Sequence, residues 1–87
     1  MKSRTVTRED LCRRLAVNVR SARNAAGLTL KGASERVEMH WRHWQKVEAG
    51  KNNTTLATIV RMAAALNVTP AELLAEPPPG AEEPGGA

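Results

Sequence analysis

Residues 27–50 read GLTLKGASERVEMHWRHWQKVEAG, a pattern that two short helices joined by a tight turn account for. Thr29 suits the position before a helix, where its hydroxyl accepts a bond from a backbone N–H that has no partner inside the helix. Ala33 and Val37 follow at a spacing of four, so a helix from about Leu30 to Val37 or Glu38 can bury one stripe. The next helix is expected from about Trp41 to Ala49. Its Trp44 and Val47, three apart, form an inward stripe, which leaves Trp41, Arg42, His43, Gln45 and Lys46 off it. Gly50 closes this helix, because glycine adopts the left-handed conformation of a helix end at no steric cost.

Three further helices surround this pair. Leu11, Leu15, Val19, Ala22 and Ala26 recur every three or four residues and define a helix from about Arg8 to Ala26, ended by Gly27. Thr7 with Asp10 three residues on has the pattern of a capping box at its start. Arg13, Arg14, Arg20 and Arg23 lie off the apolar stripe. Thr55 caps a helix over Leu56–Leu66, with Leu56, Ile59, Val60, Ala63 and Leu66 as its apolar positions and Asn67 at its end. Thr69 and Glu72 make a second capping box. Pro70 between them takes the first helical position, where its missing N–H costs nothing, and Leu73 and Leu74 follow. The loops are short and no stretch alternates as a strand does, so residues 8–75 are expected to form an all-α, compact five-helix domain. Residues 1–7 form a polar, basic arm expected to be flexible. The Pro-, Gly- and acid-rich stretch 76–87 cannot bury enough apolar area to offset the cost of ordering, and is expected to be a disordered tail.

Eighty-seven residues allow one domain. With no Phe or Tyr the core must be aliphatic and rich in Ala, and Trp44 is its expected largest member. Residues 1–71 carry all 13 Lys and Arg against five acids, and residues 72–87 carry four acids and no base. A basic body suits a polyanion and an acidic end repels one. No apolar run has the length of a membrane span, and the first residues lack the apolar core of a signal peptide. Cys12 is the one cysteine, so no internal disulfide forms, and a cytoplasmic protein is expected. Cys12 borders the apolar stripe of the first helix, where half-buried packing is its expected role. His40 and His43 have no Cys or acid at ligand spacing, so no metal is expected. No Ser/His/Asp set, phosphate loop or carboxylate pair occurs, so neither an enzyme nor a cofactor is expected.

On residue type alone, the outward side of the third helix could be a solvated face or a surface that reads DNA. A helix, a tight turn and a second helix present that second helix to the major groove. Arg and Lys match the guanine O6 and N7 acceptors, and Gln matches adenine N6 and N7.

The residues Val19-Arg20-x-x-Arg23-x-x-x-Gly27-Leu28-Thr29, then Val47-Glu48-x-Gly50, then Leu56, Ala63, Leu66 and Val68-Thr69 resemble, without a gap, the pattern of the Cro/cI-type helix-turn-helix family, the xenobiotic-response-element-like regulators. The resemblance covers roughly residues 16–74. It implies a lambda-repressor-like DNA-binding domain whose base-contacting positions are Trp41, Arg42, Gln45 and Lys46. Thr29, Leu30, His43, Lys51 and Asn52 fall on phosphate-contacting positions, and Arg23 and Glu48 on a buried ion pair between the first and third helices. Four positions depart from the family. Leu30 stands where Gln usually touches phosphate, Glu38 stands where the turn usually has Gly, and His40 replaces the usual Ser or Thr cap. Trp41 stands where a small polar or amide residue is usual. It is left to press on a thymine methyl or a sugar, or to fold back on the preceding helix.

The function implied is a transcriptional repressor that binds an inverted-repeat operator in double-stranded DNA as a homodimer. A restriction–modification controller protein is a variant of it, and the antitoxin of a toxin–antitoxin pair, with a protein partner, is the alternative. Leu73 and Leu74 are adjacent and point about 100° apart on one helix. One is expected in the core, on Val68 and the fourth helix, and the other in the dimer interface.

Overall fold

The computed structural model describes residues 5–51 and 53–81. Helix α1 (Arg8–Ala25) begins at a full capping box. Thr7 Oγ1 accepts from the Asp10 N–H at 3.1 Å, and the Asp10 carboxylate accepts from the Thr7 N–H at 3.1 Å. The bond from the Thr7 backbone N–H, followed by the Thr7 hydroxyl, holds the Asp10 carboxyl below its ordinary range. The helix ends on Gly27, at φ +72°. The Leu28 N–H reaches back to the Arg23 carbonyl at 3.1 Å and the Gly27 N–H to that of Asn24 at 3.0 Å, the paired bonds of a Schellman end.

Helix α2 (Leu30–Glu35) is shorter than its apolar spacing predicts. Residues 36–38 tighten into a turn that repeats the same closure. The Met39 N–H bonds the Ser34 carbonyl at 2.9 Å and the Glu38 N–H that of Glu35 at 3.3 Å. The left-handed position falls on Glu38, at φ +54°. An L-residue there brings Cβ against the following carbonyl, at about 1–2 kcal/mol. Glu38→Gly is therefore expected to raise stability by about 1 kcal/mol and the melting midpoint by about 4–8 °C in a domain of this size. A midpoint that does not rise in calorimetry would mean that Glu38 is not strained.

Helices α3 (Trp41–Glu48), α4 (Leu56–Leu66) and α5 (Pro70–Leu74) complete the order. Asn67 closes α4 in the left-handed region, at φ +58°, again with the paired bonds, from Val68 to Ala63 and from Asn67 to Ala64. The α5 capping box is complete, and the Thr69 backbone N–H on Glu72 at 2.6 Å lowers that carboxyl below its ordinary range. Asn18, mid-way along α1, donates to the carbonyls of Leu73 and Ala75 at 2.9 and 2.7 Å and ties α5 down.

Trp44 is fully enclosed among Leu15, Val19, Val47, Met62 and Leu73, in an aliphatic core. The stripe positions of α1 and α4 need correction. Leu11 is 38% exposed, Leu56 75% and Val60 54%, whereas Ala16, Val17, Met62 and Ala65 are buried. The α4 sequence LATIVRMAAAL has apolar residues on nearly every face. Periodicity alone therefore admits two stripes, and packing selects the one through Ile59, Met62, Ala63 and Leu66.

Leu73 is buried in the core and Leu74 half-buried against it. Residues 76–81 carry no helix or strand, with Glu76 held 3.6 Å from Arg14. The remaining residues of the expected arm and tail, 1–4 and 82–87, lie outside the described residues. Among the described residues no helix is long and apolar enough to cross a membrane.

Candidate nucleic-acid interface

The orientation of α3 is set from its inner side. Trp44, Val47 and Glu48 are buried and Trp41, Arg42, His43, Gln45 and Lys46 are all exposed, with Trp41, two turns before Glu48, at the edge of the inner side. A charge on that inner side needs partners, and Glu48 has three donors. Arg23 Nε donates to Glu48 Oε2 at 2.7 Å and Arg23 Nη2 to Oε1 at 3.0 Å, while Trp44 Nε1 donates to Oε2 at 2.8 Å. Arg23 Nη1 also donates to the Leu28 carbonyl at 2.9 Å. One guanidinium thus joins the end of α1, the α1–α2 loop and α3. The bonds to Glu48 hold the Arg23 proton more tightly than usual. The sequence reading had no place for the indole N–H, although a Trp four residues before a buried Glu on one helix face is the signal for it.

At the start of α3, His40 is a real cap. Its Nδ1 accepts from the Arg42 N–H at 3.1 Å. A protonated imidazole has no lone pair there and would give up the bond. Trp41 lies between its chain neighbours, with the His40 ring stacked at 6.0 Å and 24°, and Arg42 Cζ 5.4 Å from its centroid. A cation over an indole face is attracted by the ring quadrupole. Trp41 therefore preorganises Arg42 at the tip of the helix that would enter a groove first, and keeps 37% of its own surface exposed.

The expected phosphate contacts divide. Thr29 Oγ1 is engaged as the α2 cap, accepting from the Gly32 N–H at 2.9 Å. Leu30 is half-buried against the core, so its side chain offers nothing to an anion. Lys51 and His43 are exposed, and Asn52 lies outside the described residues. Among the described residues no group of His, Cys, Asp and Glu could hold a metal.

Two arginines outside the sequence reading brace the turn before α3. Arg36, at the end of α2, donates to the Ala65 carbonyl at 3.1 Å. Arg61, on α4, donates to the carbonyls of Val37 and Glu38. Neither has a sequence signature, because each partner is a carbonyl.

The sequence profile of the family described as a helix-turn-helix domain matches residues 14–75. The chain belongs to the helix-turn-helix domain family. A search of curated proteins returned no significant match. Among solved structures, this helix-turn-helix domain is similar to the crystal structure of a hypothetical transcription factor, NHTF, from Neisseria. That similarity has a TM-score of 0.75 and 28% identity, and covers 88% of each chain. It is also similar to the restriction–modification controller protein C.AhdI from Aeromonas hydrophila, with a TM-score of 0.68 and 27% identity over 71% of this chain and 94% of that one. In helix-turn-helix terms α2 and α3 are the paired helices, residues 36–40 the turn, and α3 the helix offered to DNA.

Proposed function

We propose that this helix-turn-helix domain is a sequence-specific DNA-binding transcriptional regulator, a repressor that grips an inverted-repeat operator as a homodimer. The observation that carries the reading is the two-sidedness of α3. Its inner side is anchored by Trp44 and the Arg23–Glu48 pair, and its outer side presents exposed Arg42, Gln45 and Lys46, with Trp41 37% exposed beside them. A rigid polar helix face on a basic body is what base reading requires. Arg42, Gln45 and Lys46 have the donors for base edges, and the exposed edge of Trp41 fits a thymine methyl or a sugar. Lys51 and His43 flank them as phosphate contacts, and near Thr29 and Leu30 only backbone remains to serve. With a DNA target, the protein is assigned to the cytoplasm, in association with the nucleoid.

Restriction–modification control is a specific form of this reading, favoured by the likeness to C.AhdI. Genes for a methyltransferase and a nuclease beside this one would decide for it.

Half-sites one helical turn, about 34 Å, apart require a second copy. Leu73 is taken up by the core and cannot serve that interface. Leu56 forms with Leu11, Ile59 and half-buried Leu74 an apolar surface near the loop that follows α3, and exposed Val60 lies four residues on from Leu56 on α4. We assign the homodimer contact to it, with Leu74 at its edge.

Selection from random oligonucleotides tests the reading, and an inverted repeat is expected. On the selected operator, Arg42→Ala and Lys46→Ala should each weaken binding by about 1–3 kcal/mol and relax the base preference, whereas Lys51→Ala should weaken all sequences alike. Equal losses on operator and random DNA for Arg42 and Lys46 would make them phosphate contacts.

A further inference from the structure

The last turn of a helix leaves carbonyls without partners, and at the seam between α2 and α4 each helix supplies an arginine to the other's. Arg36 Nη1 meets the Ala65 carbonyl in the last turn of α4, which the Schellman bonds to Ala63 and Ala64 leave unserved. Arg61 Nη2 returns across the seam to the carbonyl of Val37 and, at 3.3 Å, to that of Glu38. The two carbonyls that Arg61 takes flank the one left-handed residue of the turn, Glu38 at φ +54°. Two residues further on, His40 caps α3. The segment between the paired helices thus carries strain at Glu38, where the two other Schellman ends of the domain have the well-suited Gly27 and Asn67.

We infer that Arg61 is a positioning residue for DNA recognition: by clasping the carbonyls of Val37 and Glu38 it holds the strained turn, and with it the start of α3, in the docking geometry. Arg61 is exposed, so a direct phosphate contact is the rival role, and the two make opposite demands. A phosphate contact needs only positive charge. A clasp needs the reach of a guanidinium, whose terminal Nη2 serves both carbonyls, and the shorter side chain of a lysine does not bring its ammonium to them. Only the effect on operators rests on the DNA-binding reading. The effect on the turn does not.

Arg61→Lys keeps the charge and tests this. In the free protein, hydrogen exchange at the Met39 amide, whose bond to the Ser34 carbonyl closes the turn, is expected to quicken about tenfold, while the core amide of Met62 keeps its protection. On the selected operator, affinity is expected to fall about tenfold, with random-DNA affinity and the salt slope unchanged. In a Glu38→Gly background, where the turn is relaxed, the same substitution should reduce operator affinity by less than about threefold. Unchanged Met39 exchange in Arg61→Lys would overturn the clasp. So would wild-type operator affinity in Arg61→Lys together with an Arg61→Ala salt slope shallower by about one per protomer, the mark of a phosphate contact. If the wild-type protein selects no DNA, the regulator reading fails and Met39 exchange alone decides the clasp.

Discussion

Glu48→Ala is expected to cost about 3–5 kcal/mol of folding stability, a large share of the roughly 5–15 kcal/mol that holds a domain together. The effect is large because the carboxylate serves two residues at once, the Arg23 guanidinium and the Trp44 indole. Arg23 and Glu48 side chains are 13% and 9% exposed, so water cannot take over when one partner goes. The guanidinium keeps the Leu28 carbonyl but has no counter-charge, and the fully buried Trp44 indole N–H has no acceptor. At about 4–8 °C per kcal/mol, the melting midpoint should fall by well over 10 °C. Glu48→Gln should lose less, since an amide oxygen can still accept from the indole while failing to neutralise Arg23. Thermal unfolding of the two variants checks this ordering. A loss below about 1 kcal/mol for Glu48→Ala would mean that the pair behaves as an exposed one.

Val60→Glu is expected to leave the fold intact and abolish the dimer. Val60 is 54% exposed, so a polar substitution there changes monomer stability by only about 0.5 kcal/mol. A two-fold interface places the same patch of each copy against the other, so the substitution brings two carboxylates into one apolar contact. Leu56→Glu, at a position 75% exposed, should do the same. Operator affinity should drop by on the order of a hundredfold or more, because each protomer then grips a single half-site. Light scattering or sedimentation of the free proteins reads the first effect, and titration of the operator the second. Leu73→Glu is a contrasting control: it should unfold the domain, since Leu73 is buried in the core. A dimer that survives both Val60→Glu and Leu56→Glu would place the interface elsewhere.

Much of the fold could be read from local chemistry. Thr7, Thr29, Thr55 and Thr69 each sit where a hydroxyl can serve an unpartnered N–H, and each begins a helix. Gly27 and Asn67 mark ends for the complementary reason. The departure at Glu38 was legible too, because the turn needs a left-handed residue whatever stands there. The side of α4 was not legible. Where Leu56, Ile59, Val60, Met62 and Ala63 all are apolar, the buried face depends on what packs against the helix. The arginine contacts across the α2–α4 seam escaped for another reason. They join residues 23–29 positions apart, a side chain to a carbonyl each time, and no spacing rule describes them. Trp41 shows a third limit: its packing on His40 and Arg42 is local, but residue type alone could not choose between its own neighbours, the preceding helix and DNA.

The central claim is that the basic body and outward α3 face exist to bind DNA, and the salt dependence of binding to the selected operator tests it most directly. Each phosphate neutralised contributes about −0.9 to the slope of log affinity against log salt concentration. A dimer that lays the basic bodies of two copies, with 13 Lys and Arg in each chain, along the duplex is expected to give a slope of roughly −5 or steeper, parallel for operator and random DNA, with the operator bound tighter throughout. A slope near zero, or the absence of any bound sequence at low salt, would contradict it.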